Sequence, residues 1–150
     1  MKVCFAASSG GHMEEMSALK SLVSEDDFVL TEKSSYQAVD WCSKVYEVSQ
    51  INRKEILFFL KFFVLFIKSF YILVKEKPTT IISTGALATF PLCLLGKMMG
   101  KQILYIESFA RVDKGSLTGK LMYKIADLFV VQWKELLTVY PKALYVGGIF

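Results

Sequence analysis

Apolar positions along this chain change period repeatedly. Val3 to Ala7 form an unbroken apolar run of strand length, ended by Ser8-Ser9-Gly10-Gly11. From His12 to Val23 the period turns helical. Met13, Met16, Leu19, Leu22 and Val23 recur at helical spacing, and Glu14 and Glu15 occupy the first turn, where a helix dipole favours acids. The alternation then continues. Strands are predicted over 27–31 and 45–49, with a helix over 34–44 between them that Ser34 and Ser35 can cap. A long helix runs from about Arg53 to Glu76 and stops at Pro78. An apolar strand over 80–84 leads through Gly85 into a helix from about Ala88 to Met99, closed by Gly100. A strand over 102–108, a helix over 116–126, a strand over 128–132, a short helix over 134–140 and a strand over 143–147 complete the chain. Strands alternating with helices predict one α/β domain over 1–150, a doubly wound parallel sheet with helices on both faces.

Such sheets bind ligands outside the carboxyl ends of their strands, where strand order reverses. In the order 3-2-1-4-5 the first, fourth and fifth strands are neighbours. The segments leaving them are the distinctive ones: SSGGH, STGALATFP and ESFARVDKGSLTGK. Each combines small and polar residues, and two run straight into a predicted helix start, where free backbone N–H groups attract anions, phosphates above all. No GxGxxG stands after the first strand and no GxxxxGK[ST] stands anywhere. An anionic ligand is expected, but not through a phosphate-binding ATPase loop. His12, the one histidine of the chain, lies at the first of these exits. Histidine titrates near neutrality and is the usual general base for a hydroxyl. A lone histidine at a helix start can also simply cap or face solvent, and no GxSxG or triad accompanies it.

Composition narrows the field. The net charge of +4 is too mild for nucleic acid, and no finger, basic helix or RNA-binding signature is present. Cys4, Cys42 and Cys93 are odd in number and far apart, with no CxxC spacing and no histidine neighbours, so zinc is not expected. No other metal and no organic cofactor is expected either. Lys2 is followed at once by strand and turn rather than by a long apolar stretch, so no signal peptide is expected and a reducing cytoplasm fits. Mean hydropathy is +0.41 with 12 phenylalanines, which predicts apolar surface set against lipid or a partner.

The stretches SSGGHMEEM, STGALATFP, YIESFARVDKGSLTGKLMYKIADLFVVQW and YPKALYVGGIF together resemble one family. It comprises the bacterial capsule and exopolysaccharide glycosyltransferase-enhancer proteins and their eukaryotic counterpart, the membrane-recruiting subunit of the two-part N-acetylglucosaminyltransferase acting on dolichol-diphosphate-linked sugar. More distantly the chain is similar to the amino-terminal half of the peptidoglycan N-acetylglucosaminyltransferase. The resemblance implies a Rossmann-like domain equivalent to the acceptor half of a GT-B glycosyltransferase. It also implies a polyprenyl-diphosphate-linked saccharide as acceptor and a donor-binding glycosyltransferase subunit as partner, with activity only in their complex. By the same resemblance His12 maps to the proposed base and Glu107 to the family's acidic position. The loops holding Ser9, Gly10, Gly11, Thr84 and Gly85 match those beside the acceptor diphosphate. Ser8 and Ser9 replace the fuller glycine-threonine-glycine-glycine form of the peptidoglycan enzyme.

The stretch INRKEILFFLKFFVLFIKSFYILVKEK is long enough to span a bilayer. Lys61 and Lys68 inside it would each cost about 2.5 kcal/mol or more at the bilayer centre. Spanning would also part the third strand from the fourth. Lys54, Lys61, Lys68 and Lys75 recur every seven residues as one slowly drifting stripe beside apolar flanks, the pattern of a helix lying in a membrane interface. A core helix with one solvated edge is the alternative. Two functions therefore stand. One is an acceptor-binding, membrane-docking subunit placed peripherally at the cytoplasmic face of the cell membrane in polysaccharide biosynthesis. The other is a non-catalytic scaffold that recruits and stabilises the catalytic glycosyltransferase there. A free-standing nucleotide-binding domain is weaker, because no acidic residue clearly serves a ribose.

Overall fold

The alternation along the first strand splits the core in two. In the computed structural model, which describes residues 1–34 and 38–149, β1 (Val3–Ala7) points Cys4 and Ala6 to one face and Val3, Phe5 and Ala7 to the other. It is followed by α1 (Gly11–Ser17), β2 (Phe28–Glu32), β3 (Val45–Val48), α2 (Phe58–Glu76), β4 (Thr80–Gly85), α3 (Phe90–Met98), β5 (Gln102–Ile106), α4 (Leu117–Met122), β6 (Leu128–Val131) and β7 (Leu144–Tyr145). Short 3₁₀ turns cover Lys20–Leu22, Leu87–Thr89 and Lys134–Thr138. The described strands form one parallel sheet in the order β3-β2-β1-β4-β5-β6-β7. This is the expected Rossmann-like arrangement, with the first, fourth and fifth strands adjacent.

The larger core lies under α2, α3 and α4 and joins Phe28, Leu30, Leu73, Ile81, Leu92 and Ile103, all fully buried or nearly so. The smaller core lies under α1 and joins Phe5, Met13, Met16 and Val29. The helix expected over 34–44 is absent from Ala38 to Lys44, while Ser35, Tyr36 and Gln37 lie outside the described residues. In its place Trp41 packs edge-on against Phe5, with ring centroids 6.2 Å apart. The buried Cys42 thiol donates to the Asp27 and Lys44 carbonyls. These local bonds and the Trp41 anchor fill the space that a crossover helix would occupy. The first helix also ends early, at Ser17, whose hydroxyl donates to the Glu14 carbonyl.

α2 begins at Phe58, later than Arg53. The Asn52 side chain accepts the Lys54 N–H at 3.0 Å, a local turn that competes with helix. At the other end Lys77 adopts a left-handed conformation, closes onto the Leu73 carbonyl at 3.0 Å and precedes Pro78. The last residue of α2, Glu76, is buried at the sheet edge and accepts from the Lys2 and Lys44 ammonium groups and the Tyr46 hydroxyl. Burial opposes its charge, but Lys2, Tyr46 and Lys44 more than offset that and hold the carboxyl down at about 2. A depressed carboxyl stabilises the fold above its unfolded pKa, and that stability is lost as pH falls towards 2. Glu76→Gln should therefore cost about 2–3 kcal/mol at pH 7. Urea denaturation should show the gap narrowing markedly by pH 3. Equal midpoints for the two proteins at pH 7 would refute the role given to this cluster.

Candidate functional site

A bulge sets the site. The β1–β4 register shifts between Ala6 and Ala7: Ala6 faces Ser83 and Ala7 faces Gly85, so Thr84 is the extra residue. Bulges re-aim groups at strand ends, and here both polar groups of Thr84 turn to His12. The Thr84 carbonyl lies 2.9 Å from His12 Nδ1, and the Thr84 hydroxyl donates to the His12 carbonyl at 2.7 Å. A carbonyl can only accept, so Nδ1 carries a proton, and the tautomer this selects has its lone pair on Nε2. Gly85 follows with φ +120, and a Cβ there would stand 3.1 Å from His12 Cε1 and 3.0 Å from the Tyr105 hydroxyl. Ala86 continues with φ +73, a strained conformation for a non-glycine residue. Thr89 restrains it, donating its N–H and hydroxyl to the Ala86 carbonyl at 3.1 and 2.9 Å.

The exit of β5 is held by Glu107, which is fully buried. Its carboxylate accepts from the Ser108 and Ser116 N–H groups, each at 3.1 Å, and from the hydroxyls of Ser116 and Tyr140, each at 2.9 Å. Ser116 in turn caps α4 by accepting the Gly119 N–H at 2.8 Å. Gly119 is required there, because a Cβ would collide with the Glu107 carboxylate. Burial and the Glu107 charge push the Tyr140 hydroxyl up, so it stays a donor.

A second buried carboxylate joins the exits. Glu15 accepts from Ser108 Oγ at 2.9 Å, from the Phe109 N–H at 3.0 Å and from Gln132 Nε2 at 3.3 Å. Gln132 also donates to the Glu107 carbonyl at 3.1 Å. Burial raises the Glu15 carboxyl, while Ser108, Phe109 and the nearby His12 lower it. Glu32, at the end of β2, is raised by burial and lowered by the Ile51 N–H, which it accepts at 3.1 Å, and by His12. Glu32 occupies the place where a dinucleotide-binding fold puts its ribose-binding acid, and here that carboxylate pins the loop after β3.

Between these exits opens a cleft of about 420 Å³, walled by His12, Ala86, Ser108, Arg111, Ser116 and Arg53 with their neighbours. Arg53 and Arg111 are the only arginines among 18 basic residues. Neither stands in a recognisable motif. That scarcity, and the place of Arg111 inside the exit segment ESFARVDKGSLTGK, was the signal available. Of the loop residues expected there, Thr84 and Gly85 lie against His12, whereas Ser9 is half-buried and Gly10 and Gly11 are exposed at the start of α1. With α1 and α4 only 7 and 6 residues long, the positive charge comes from the arginines rather than from helix dipoles. Among the described residues no group of three His, Cys, Asp or Glu side chains is placed to hold a metal ion.

The lysine stripe lies elsewhere. Lys61, Lys68 and Lys75 ride one flank of α2, whereas Lys54 falls on the turn before it. Lys61 pairs with Glu55, and Lys75 sits 5.5 Å over the Tyr46 ring. Opposite the buried residues Leu65, Ser69, Leu73 and Glu76, α2 turns Phe59, Phe63, Ile67 and Phe70 outward. Phe59 is 82% exposed and Phe63 63%. Among the described residues no helix is long and apolar enough to cross a membrane.

Comparison with known proteins agrees with this fold. Acinetobacter baumannii MurG superposes with a TM-score of 0.71 at 14% identity, over 89% of this chain and 42% of that one. The UDP-GlcNAc 2-epimerase of Neisseria meningitidis bound to UDP-GlcNAc gives 0.72 at 13%, over 99% and 47%. At such identities the likeness is one of fold. The human UDP-N-acetylglucosamine transferase subunit ALG14 is 33% identical over 87 residues, 54% of this chain and 40% of that protein. Its Schizosaccharomyces pombe counterpart is 44% identical over 75 residues, 47% of this chain and 36% of that protein. The chain thus spans about two-fifths of the length of these curated relatives. A family model described as "Oligosaccharide biosynthesis protein Alg14 like" matches residues 30–149, and the chain belongs to that family.

Proposed function

We propose that this chain is the acceptor-binding and membrane-docking subunit of a two-component glycosyltransferase. It receives a polyprenyl-diphosphate-linked saccharide at the cytoplasmic face of the cell membrane, and a partner chain brings the nucleotide sugar. The observation that carries this reading is the gathering of the chain's single histidine and both its arginines around one cleft at the carboxyl edge of the sheet. Guanidinium groups suit diphosphate oxygens through paired hydrogen bonds. His12 Nε2 removes the proton from the acceptor hydroxyl as that oxygen attacks the anomeric carbon, and the nucleoside diphosphate leaves with the bonding pair. Glu15 and Glu32 stabilise the imidazolium that results. Glu107, with its oxygens engaged by Ser108, Ser116 and Tyr140, acts as a positioning residue for the β5 exit. The relatives' printed role as UDP-N-acetylglucosamine transferase subunits supports this reading and suggests that sugar as donor. Use in capsule or exopolysaccharide synthesis rests on the sequence resemblance.

Arg53→Gln/Arg111→Gln tests the cleft. A hydrogen bond to a charged group contributes about 1.5–3 kcal/mol, so losing both arginines should weaken binding of a polyprenyl-diphosphate-linked saccharide by about 10²-fold or more. Equilibrium binding to the full chain in detergent micelles reads this. Unchanged affinity in the folded double variant would move the diphosphate elsewhere and favour the scaffold.

A further inference from the structure

An apolar groove of about 170 Å³ runs between α2 and the segment leaving β3, lined by Val48, Ser49, Leu60, Val64 and Leu65, with Lys61 and Lys68 at its rim. We propose that this groove holds the first isoprenoid units of a lipid diphosphate whose phosphates sit at Arg53 and Arg111. The proposal rests on the cleft reading above and adds where the lipid chain goes.

Continuity is the main argument. Ser49 lines the groove, while Ile51 and Arg53 line the cleft, so groove and cleft share one short strap. Two residues of extended chain span at most about 7 Å, a distance that the first units of a prenyl chain cover from its diphosphate. The strap is fixed, since the Ile51 N–H is held by Glu32. Polarity follows the same order. A cleft with two guanidinium groups gives way to an apolar groove, and the groove opens beside the outward apolar face of α2. An amphiphile with an anionic head and an apolar tail matches that order from end to end, whereas a free anion uses only its first part. Lys61 and Lys68 stand where headgroup phosphates of a surrounding bilayer would lie once the tail passes beyond the groove.

Calorimetry on the full chain, with farnesyl diphosphate below its micellar concentration and with inorganic diphosphate, tests this. Burial of apolar surface should make farnesyl diphosphate bind at least about tenfold more tightly. Val64→Glu sets a carboxylate in the groove, within helical reach of Lys61 and Lys68, at a position already partly exposed. It should abolish the farnesyl advantage and leave inorganic diphosphate binding unchanged. Equal affinities for the two ligands in the wild type would overturn the groove and leave the cleft standing. A farnesyl advantage that survives Val64→Glu would also overturn it, by placing the chain on the open face of α2. A wild-type dimer that Val64→Glu dissociates would assign the groove to a second copy instead. No binding of either ligand by the wild type would remove the cleft reading and this proposal together.

Discussion

Replacing His12 by alanine should lower glycosyl transfer by the complex with its donor-binding partner by about 10²–10⁴-fold, the usual span for a lost general base. The geometry makes the change specific. His12 is half-exposed, its ring meets Thr84 through Nδ1, and its backbone carbonyl keeps the Thr84 hydroxyl bond whatever the side chain. Folding, partner binding and acceptor affinity should therefore hold while kcat falls. A variant that turns over at a near-normal rate would reduce His12 to a loop residue and leave the chain a scaffold.

Changing Phe59, Phe63 and Phe70 to serine should release the protein from anionic vesicles with a loss of partitioning of about 10³-fold. Each phenylalanine fully buried in the acyl region contributes about 1.5 kcal/mol or more. From the sequence, phenylalanines in this helix could not be changed without fear of uncovering the sheet. The structure separates them, since these three point away from the buried stripe of Leu65, Ser69, Leu73 and Glu76. Circular dichroism should be unaltered. Neighbouring Lys61, Lys68 and Lys75 add about 1 kcal/mol each near an anionic surface, so salt should weaken binding of wild type and variant alike. Co-sedimentation of the folded triple variant at wild-type levels would show that another surface meets the membrane.

The alternation of strands and helices, the parallel sheet it implies and the place of His12 at the first exit were legible in the sequence, because strand and helix periods and a glycine turn are local patterns. Gly85 too was visible, as a turn residue. The segment over 38–44 misled, because its helical appearance was weaker than the pull of Trp41 onto Phe5 and of the Cys42 thiol onto backbone carbonyls. Lys54 left the stripe because one Asn52 side chain delays the helix. The alternation of elements, their burial faces and the single histidine at the first exit are each set by neighbours within a few residues. Tertiary pairing is what makes Arg53, after β3, and Arg111, after β5, wall one cleft with His12. The same holds for the bulge at Thr84, which orients His12 across 72 positions of chain, and for Glu15 and Gln132, which bind exits 117 positions apart. Those contacts come from parallel pairing, which brings the carboxyl ends of sequence-distant strands to one edge, and no local pattern encodes which residues meet there.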